Sequence, residues 1–179
     1  MPCLIDGTTT VWDSLAITEY LAERHAGVWP QDAPTRAWAR CAAAEMHSGF
    51  GTLRSLCPMS CGVRVQVRAD HVGLQQDVQR LDELWGEGLS RFGGPYLGGD
   101  RFTAVDAFFA PVAFRVQSYG IALQPRAQAY VKLLLALQPM QDWYAAALIE
   151  PWREASHEAE AKAAGQWIAD LRIAAPRPA

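Results

Sequence analysis

The sequence has 179 residues, half of them hydrophobic and a fifth charged, a composition that folds around a core and excludes the apolar-poor, charge-rich class of disordered chains. A formal net charge of −3 and a pI near 5.8, without any local run of Lys or Arg, exclude the electrostatic footprint of a nucleic-acid binder. No apolar run approaches the roughly 20 residues that span a bilayer and no basic-then-apolar leader opens the chain, so the expected location is the cytoplasm. There the four cysteines, Cys3, Cys41, Cys57 and Cys61, are expected as free thiols.

In chain order, Cys3 to Ile5 and Thr8 to Trp12 are β-prone, and Asp6-Gly7 between them suits a tight hairpin turn. This is the one strand pair that the sequence predicts. Asp13 then precedes Leu15, Ile17, Tyr20 and Leu21 at helical spacing, with Gly27 as the stop. The Pro-rich "VWPQDAPT" over residues 28–35 reads as a linker and domain boundary, and everything after it reads as helical.

Trp38, Ala42, Met46, Gly49, Leu53 and Leu56 fall in one arc of a helical wheel and predict one long amphipathic helix. Val67, Leu74, Val78, Leu81, Trp85 and Phe92 predict a second, antiparallel to the first, with Gly86, Gly88, Gly93 and Gly94 loosening its end. The turn-rich "GGPYLGGDRF" leads to a capping box at Thr103 and Asp106, which opens a buried helix that Pro111 is expected to kink. Two further helices are expected, Arg126 to Leu137 and Pro139 to Leu148. Residues 156–179 are expected as a peripheral helix with Trp167, Ile168 and Leu171 docked, or as a loose tail.

Few of these residues carry chemistry on their own. Asp13-Ser14 at a helix start offers exposed N–H groups, the positive end of the dipole and a hydroxyl, which suit a small carboxylate; an N-cap needs the same residues. Met46, Phe50 and Arg54 lie near one face of the first long helix, where core packing accounts for the first two, and a solvated face accounts for Arg54, and for the neighbouring Glu45 and His47, as well as a substrate contact does. Cys57 and Cys61 form a C-x₃-C pair without a second pair, and with His47 and His71 on predicted helices they predict no metal site. Thr103 and Asp106 take a structural role, satisfying N–H groups at the buried helix start.

The stretches "PCLIDG" from Pro2, "WDSLAITEYL" around Asp13-Ser14, and "YLGGDRFT" with "FTAVDAF" around Thr103 and Asp106 stand in an order and spacing that resembles the cytosolic glutathione transferase family, in its bacterial members. The resemblance covers nearly the whole chain. It implies a mainly α fold, with an all-helical C-terminal domain over 36–155 preceded by a partial thioredoxin-like β-β-α piece over 1–27. In that family the proline, in cis, precedes the third strand; here it would be Pro2, aiming the backbone of Met1 at the cysteinyl part of glutathione.

By the same resemblance Asp13 and Ser14 receive the γ-glutamyl end, while Met46, Phe50 and Arg54 line the pocket for the electrophilic co-substrate. A strand, helix and strand precede this proline in the family and carry the Ser, Tyr or Cys that acts on the sulfur. The expectation is that this chain lacks that half-domain, and no catalytic residue is assigned. Glutathione as co-substrate, no metal, a small electrophile and a homodimer are what the resemblance implies, for conjugation by the full-length enzyme. A non-catalytic binding or scaffold protein on the same fold is the alternative, and an isomerase or reductase variant a third.

Overall fold

A computed structural model describes residues 2–68 and 70–173. Among them eight helices and four strands fall into two compact units, Met1–Gly49 with Glu87–Phe109, and Phe50–Gly86 with Ala110–Ala179.

The first unit opens with β1 (Cys3–Asp6) and β2 (Thr9–Trp12), antiparallel in the register Cys3↔Trp12 to Asp6↔Thr9. The two residues of the turn are Gly7 and Thr8, one step later than Asp6-Gly7, because Gly7 takes the φ of +60° that the turn requires and Asp6 stays in the ladder. α1 (Ser14–Ala22) follows without a break. None of its residues is buried, and none in the hairpin is. Tyr20 ties α1 back to the hairpin by donating to Asp6 Oδ2 at 2.8 Å.

α2 (Ala33–Ser48) starts at Asp32, whose Oδ2 accepts from the N–H and hydroxyl of Thr35 at 3.0 and 2.6 Å, with Pro34 in the first turn. Arg40 of α2 grips Glu19 of α1 through two bonds of 2.9 and 2.8 Å. The face of α2 bearing Ala39, Ala42, Ala43 and Met46 is buried. Against Trp38 of α2 stands Phe92, edge to face at 5.3 Å.

α4 (Val72–Arg91) runs through Gly86 and Gly88 to Arg91, so those glycines do not loosen its end. At Gly88 the missing Cβ has a packing reason: a methyl group there would collide with the Trp38 ring and come within 2.9 Å of the Leu97 carbonyl oxygen. α5 (Ala104–Tyr119) continues past Pro111. Both α4 and α5 contribute residues to each unit.

The second unit departs from an all-helical reading at three places. The first long helix is two, since after α2 the chain breaks at Gly49 and Phe50 before α3 (Gly51–Leu56). Phe50 sits at φ +53°, and Asp77 of α4 reaches across to cap α3, accepting from Leu53 N–H at 2.8 Å. Val67 does not belong to α4. It ends β3 (Val63–Val67), whose V-R-V-Q-V alternation buries Val63 and Val65. The partner strand is β4 (Gly165–Asp170), antiparallel, with a shift in register between Arg64 and Val65. Hence the hairpin of β1 and β2 is not the only strand pair. Trp167 and Ile168 lie in a strand rather than on a docked helix, and Ile168 and Leu171 are exposed.

α6 (Pro125–Ala136) and α7 (Gln138–Ile149) match the expected pair to within a residue or two at each end, and α8 (Ala155–Ala164) leads into β4. The core of this unit holds Leu53, Leu81, Trp85, Phe114, Tyr119, Tyr130 and Leu134, each essentially inaccessible. Trp85 meets Tyr130 edge to face at 5.1 Å, and Phe114 does the same with Trp143 at 5.0 Å. Arg172, following β4, bonds both Asp170 and Glu158, and Leu171 N–H donates to Gly62 at 2.9 Å. Together these tie the end of the ribbon to α8 and to the start of β3.

Candidate functional site

The chain leaves β2 at Trp12 and turns at Asp13 into α1 with φ +74° and ψ 134°. Positive φ is uncommon outside glycine, and aspartate is among the residues that tolerate it. Four bonds hold the turn. Asp13 N–H donates to Pro2 O at 3.2 Å, and Asp13 O accepts from Ile17 N–H at 2.9 Å. Oδ1 accepts from Leu15 N–H at 2.9 Å, and Oδ2 stands 3.2 Å from His47 Nε2 of α2. The side chains of Asp13 and His47 are about a third exposed, at 33% and 35%.

Among the described residues the N–H and hydroxyl of Ser14 find no acceptor, while its carbonyl accepts from the Thr18 hydroxyl at 2.8 Å. The first turn of α1 therefore keeps donors and the positive end of its dipole facing outward, next to a carboxylate. An open concavity of about 570 Å³ lies alongside, lined by Val11, Trp12, Asp13, Leu15 and Ala16 among others.

His47 is the residue that the sequence left outside the site. Its partner stands far upstream in another element, so no local spacing announces the pair. Phe108 of α5 fixes the imidazole from the side, edge to face at 6.5 Å. Met1 and the peptide bond into Pro2 lie outside the described residues. Pro2 itself is exposed, and its carbonyl is the acceptor for Asp13.

The three residues assigned to an electrophile pocket do not share one helix. Met46 is on α2, Phe50 stands at the break, and Arg54 is on α3. Met46 and Phe50 are buried, at 7% and 5% exposure, whereas Arg54 is exposed. Met46 belongs to the first unit, Phe50 and Arg54 to the second.

At the start of α5, Asp106 is fully buried. Its Oδ2 accepts from Thr103 N–H at 2.9 Å and its Oδ1 from Leu97 N–H at 3.0 Å, while Asp106 N–H donates to the Thr103 carbonyl at 3.0 Å. The box thus fastens the "YLGG" turn to the helix as well as capping it.

Cys57 and Cys61 are buried, and burial pushes their thiols up to about 12 and about 11, so neither is a thiolate at neutral pH. His71 accepts from Leu74 N–H at 3.4 Å, and His47 faces Asp13. Among the described residues no group of three or more His, Cys, Asp or Glu is placed to hold a metal. No helix among them is long and apolar enough to cross a membrane.

A β-hairpin leading into a helix with an open, aspartate-capped start, together with helices gathered around a second, buried aspartate cap, is a glutathione-transferase type of fold. The family model for the glutathione S-transferase C-terminal domain matches residues 22–146, and the chain belongs to the glutathione S-transferase family. It is 28% identical over 129 residues to the stringent starvation protein A homolog of Coxiella burnetii, with 71% of this chain and 58% of that protein covered. The chain therefore spans a little under three-fifths of the length of that curated relative.

A glutathione transferase homolog from Burkholderia GL BGR1, solved with bound glutathione, is similar at 25% identity and a TM-score of 0.57, covering 81% of this chain and 71% of that one. The theta class glutathione S-transferase from Xanthomonas axonopodis pv. citri, also with glutathione bound, is 26% identical with a TM-score of 0.55, covering 79% and 70%.

Proposed function

We propose that the chain is part of a cytoplasmic, homodimeric glutathione transferase whose Asp13-Ser14 corner receives the γ-glutamyl end of glutathione. The observation that carries this reading is the start of α1, where the N–H and hydroxyl of Ser14 have no acceptor among the described residues and Asp13 presents a carboxylate beside them. The γ-glutamyl group is a zwitterion at neutral pH. Its carboxylate is matched by the Ser14 donors and the helix dipole, and its ammonium by Asp13, whose turn is already held in place.

Support for the ligand comes from the Burkholderia and Xanthomonas proteins, which hold glutathione. The reaction proposed for the whole enzyme is addition of the glutathione thiolate to a small electrophile, with Met46, Phe50 and Arg54 on the electrophile's side; Pro2 and the backbone of Met1 face the cysteinyl part. No residue of this chain is assigned to activate the thiol.

Calorimetry of the purified chain with millimolar glutathione tests the site. A saturable heat is expected, weakened about tenfold by Ser14→Ala; absence of heat at millimolar ligand sinks the reading.

A second reading, a non-catalytic binding protein on the same fold, is favoured by the absence of any buried residue in β1, β2 and α1, which leaves an apolar surface including Ile5 and Trp12 for a partner. Conjugation of 1-chloro-2,4-dinitrobenzene separates the two. Glutathione binding without turnover by the longest natural form of the protein supports the second.

A further inference from the structure

We infer that the second unit carries a ligand pocket separate from the glutathione corner, and that it takes a small, neutral, largely apolar molecule bearing an O–H or N–H donor. The pocket has a volume of about 600 Å³ and lies between the β3–β4 ribbon, the start of α4 and the end of α5. That size is within the range of small-molecule sites. Its walls include Val65, Val67, Leu74, Val78, Ile121 and Ile168. Pro2, Asp13, Ser14, Met46, Phe50 and Arg54 are not among its lining residues.

The charge on the ligand follows from the polar groups present. Among the described residues Arg64 is the only ionic side chain in the wall, and three of its N–H groups are taken by neutral acceptors. One terminal nitrogen donates to the Cys61 and Val63 carbonyls at 2.9 and 2.8 Å, the other to the Tyr144 hydroxyl at 3.1 Å. The hydroxyls of Ser118 and Tyr119 are likewise spent, on the carbonyls of Ser60 and Pro58. A cation would lose its hydration and meet no carboxylate in the wall, and an anion would have to share Arg64 with the neutral acceptors that it already serves, so the wall favours a neutral ligand.

One wall residue is left unsatisfied. Gln117 Oε1 is buried and accepts no hydrogen bond among the described residues. Buried acceptors are nearly always paired, and this one lies in the side chain of a pocket residue whose terminal torsion is broad and two-fold. Rotation about that torsion, bringing the oxygen to a donor inside the pocket, is the motion that the proposal requires. The ligand class is therefore an apolar body with one donor, of which a phenol is the simplest case.

The probes are 2-naphthol, neutral at neutral pH with one O–H, and 2-methoxynaphthalene, which has the same rings without the donor. Equilibrium dialysis against the full chain is expected to show saturable binding of 2-naphthol, roughly tenfold tighter than 2-methoxynaphthalene, one well-placed hydrogen bond being enough for that ratio. Gln117→Leu should bring the two probes together. Ala122→Trp, at an exposed position in the pocket wall, should abolish binding while the far-UV circular dichroism stays the same, and Ile168→Trp on the facing strand serves if that variant does not fold. Millimolar glutathione should not compete. Equal affinity for the two probes, binding that survives both tryptophan substitutions, or displacement by glutathione would each overturn the proposal, and so would no saturable binding at all.

Discussion

Asp106 and Asp13 both stand at the start of a helix in the same compact unit, and they are finished in opposite ways. Asp106 is inaccessible, with each carboxylate oxygen taken by a backbone N–H of the turn in front of it. Asp13 is a third exposed, gives one oxygen to Leu15 N–H and the other to an imidazole, and leaves the hydroxyl beside it without an acceptor among the described residues. An aspartate at a helix start, as N-cap in α1 and in the first turn in α5, is thus a fastener in one place and, in the function proposed above, half of a receptor in the other. What separates the two is whether backbone N–H groups from outside the helix are delivered to the carboxylate.

The largest effect should come from Asp106→Ala, which strands two buried N–H groups and should cost about 3 kcal/mol in urea unfolding. Asp13→Ala removes one partly exposed cap and should cost about 1 kcal/mol. It should also abolish glutathione binding, which Asp106→Ala leaves intact in whatever fraction remains folded. Equal costs for the two would erase the contrast.

A third aspartate extends the comparison. Asp170 and Glu158 share Arg172, whose side chain is only 10% exposed, and hydrogen bonding to that guanidinium holds both acids below the usual carboxylate range. Because their folded values are depressed, the stability they add is complete above the unfolded carboxylate range near pH 4 and is lost as pH falls through the lower folded values. Arg172→Met should therefore lower the urea midpoint at neutral pH by the equivalent of about 1 kcal/mol, the upper end for a partly exposed ion pair. The gap between variant and parent should shrink as the pH is taken below about 3. A gap independent of pH would assign Arg172 a packing role only.

The smallest effect on stability comes from chemical labelling, which separates buried from exposed positions of one residue type. Cys3 and Cys41, both exposed, should react with a thiol-specific disulfide reagent in the native protein. Cys57 and Cys61, buried and held protonated, should react only after denaturant is added. Labelling of all four at equal rates in buffer would contradict the packing around α3 and β3.

Features written in local patterns were legible in the sequence. The β1–β2 hairpin, the cap at Asp13, the box at Thr103 and Asp106, and helices α6 and α7 each rest on residues within a few positions of one another. Features that need a distant partner were not. "VRVQV" alternates as a strand does, yet its partner lies almost at the other end of the described chain, and Val67 alone fits the wheel of the helix that follows. The break at Gly49 was hidden because α2 and α3 both place apolar residues at helical spacing, while the group that starts α3 anew, Asp77, sits on α4. His47 escaped for the same reason, its meaning depending on Asp13.

The β3–β4 ribbon also has a bearing on synthesis. Residues 63–67 can find no partner until residues 165–170 have been made. At roughly 5–20 residues per second, that interval is on the order of 5–20 s. Throughout it the valines of β3 are an unpaired strand, open to other chains and to chaperones. The ribbon's closure accordingly has to wait for the helices between its two strands to be made, and pairing at that sequence separation is slow compared with helix formation.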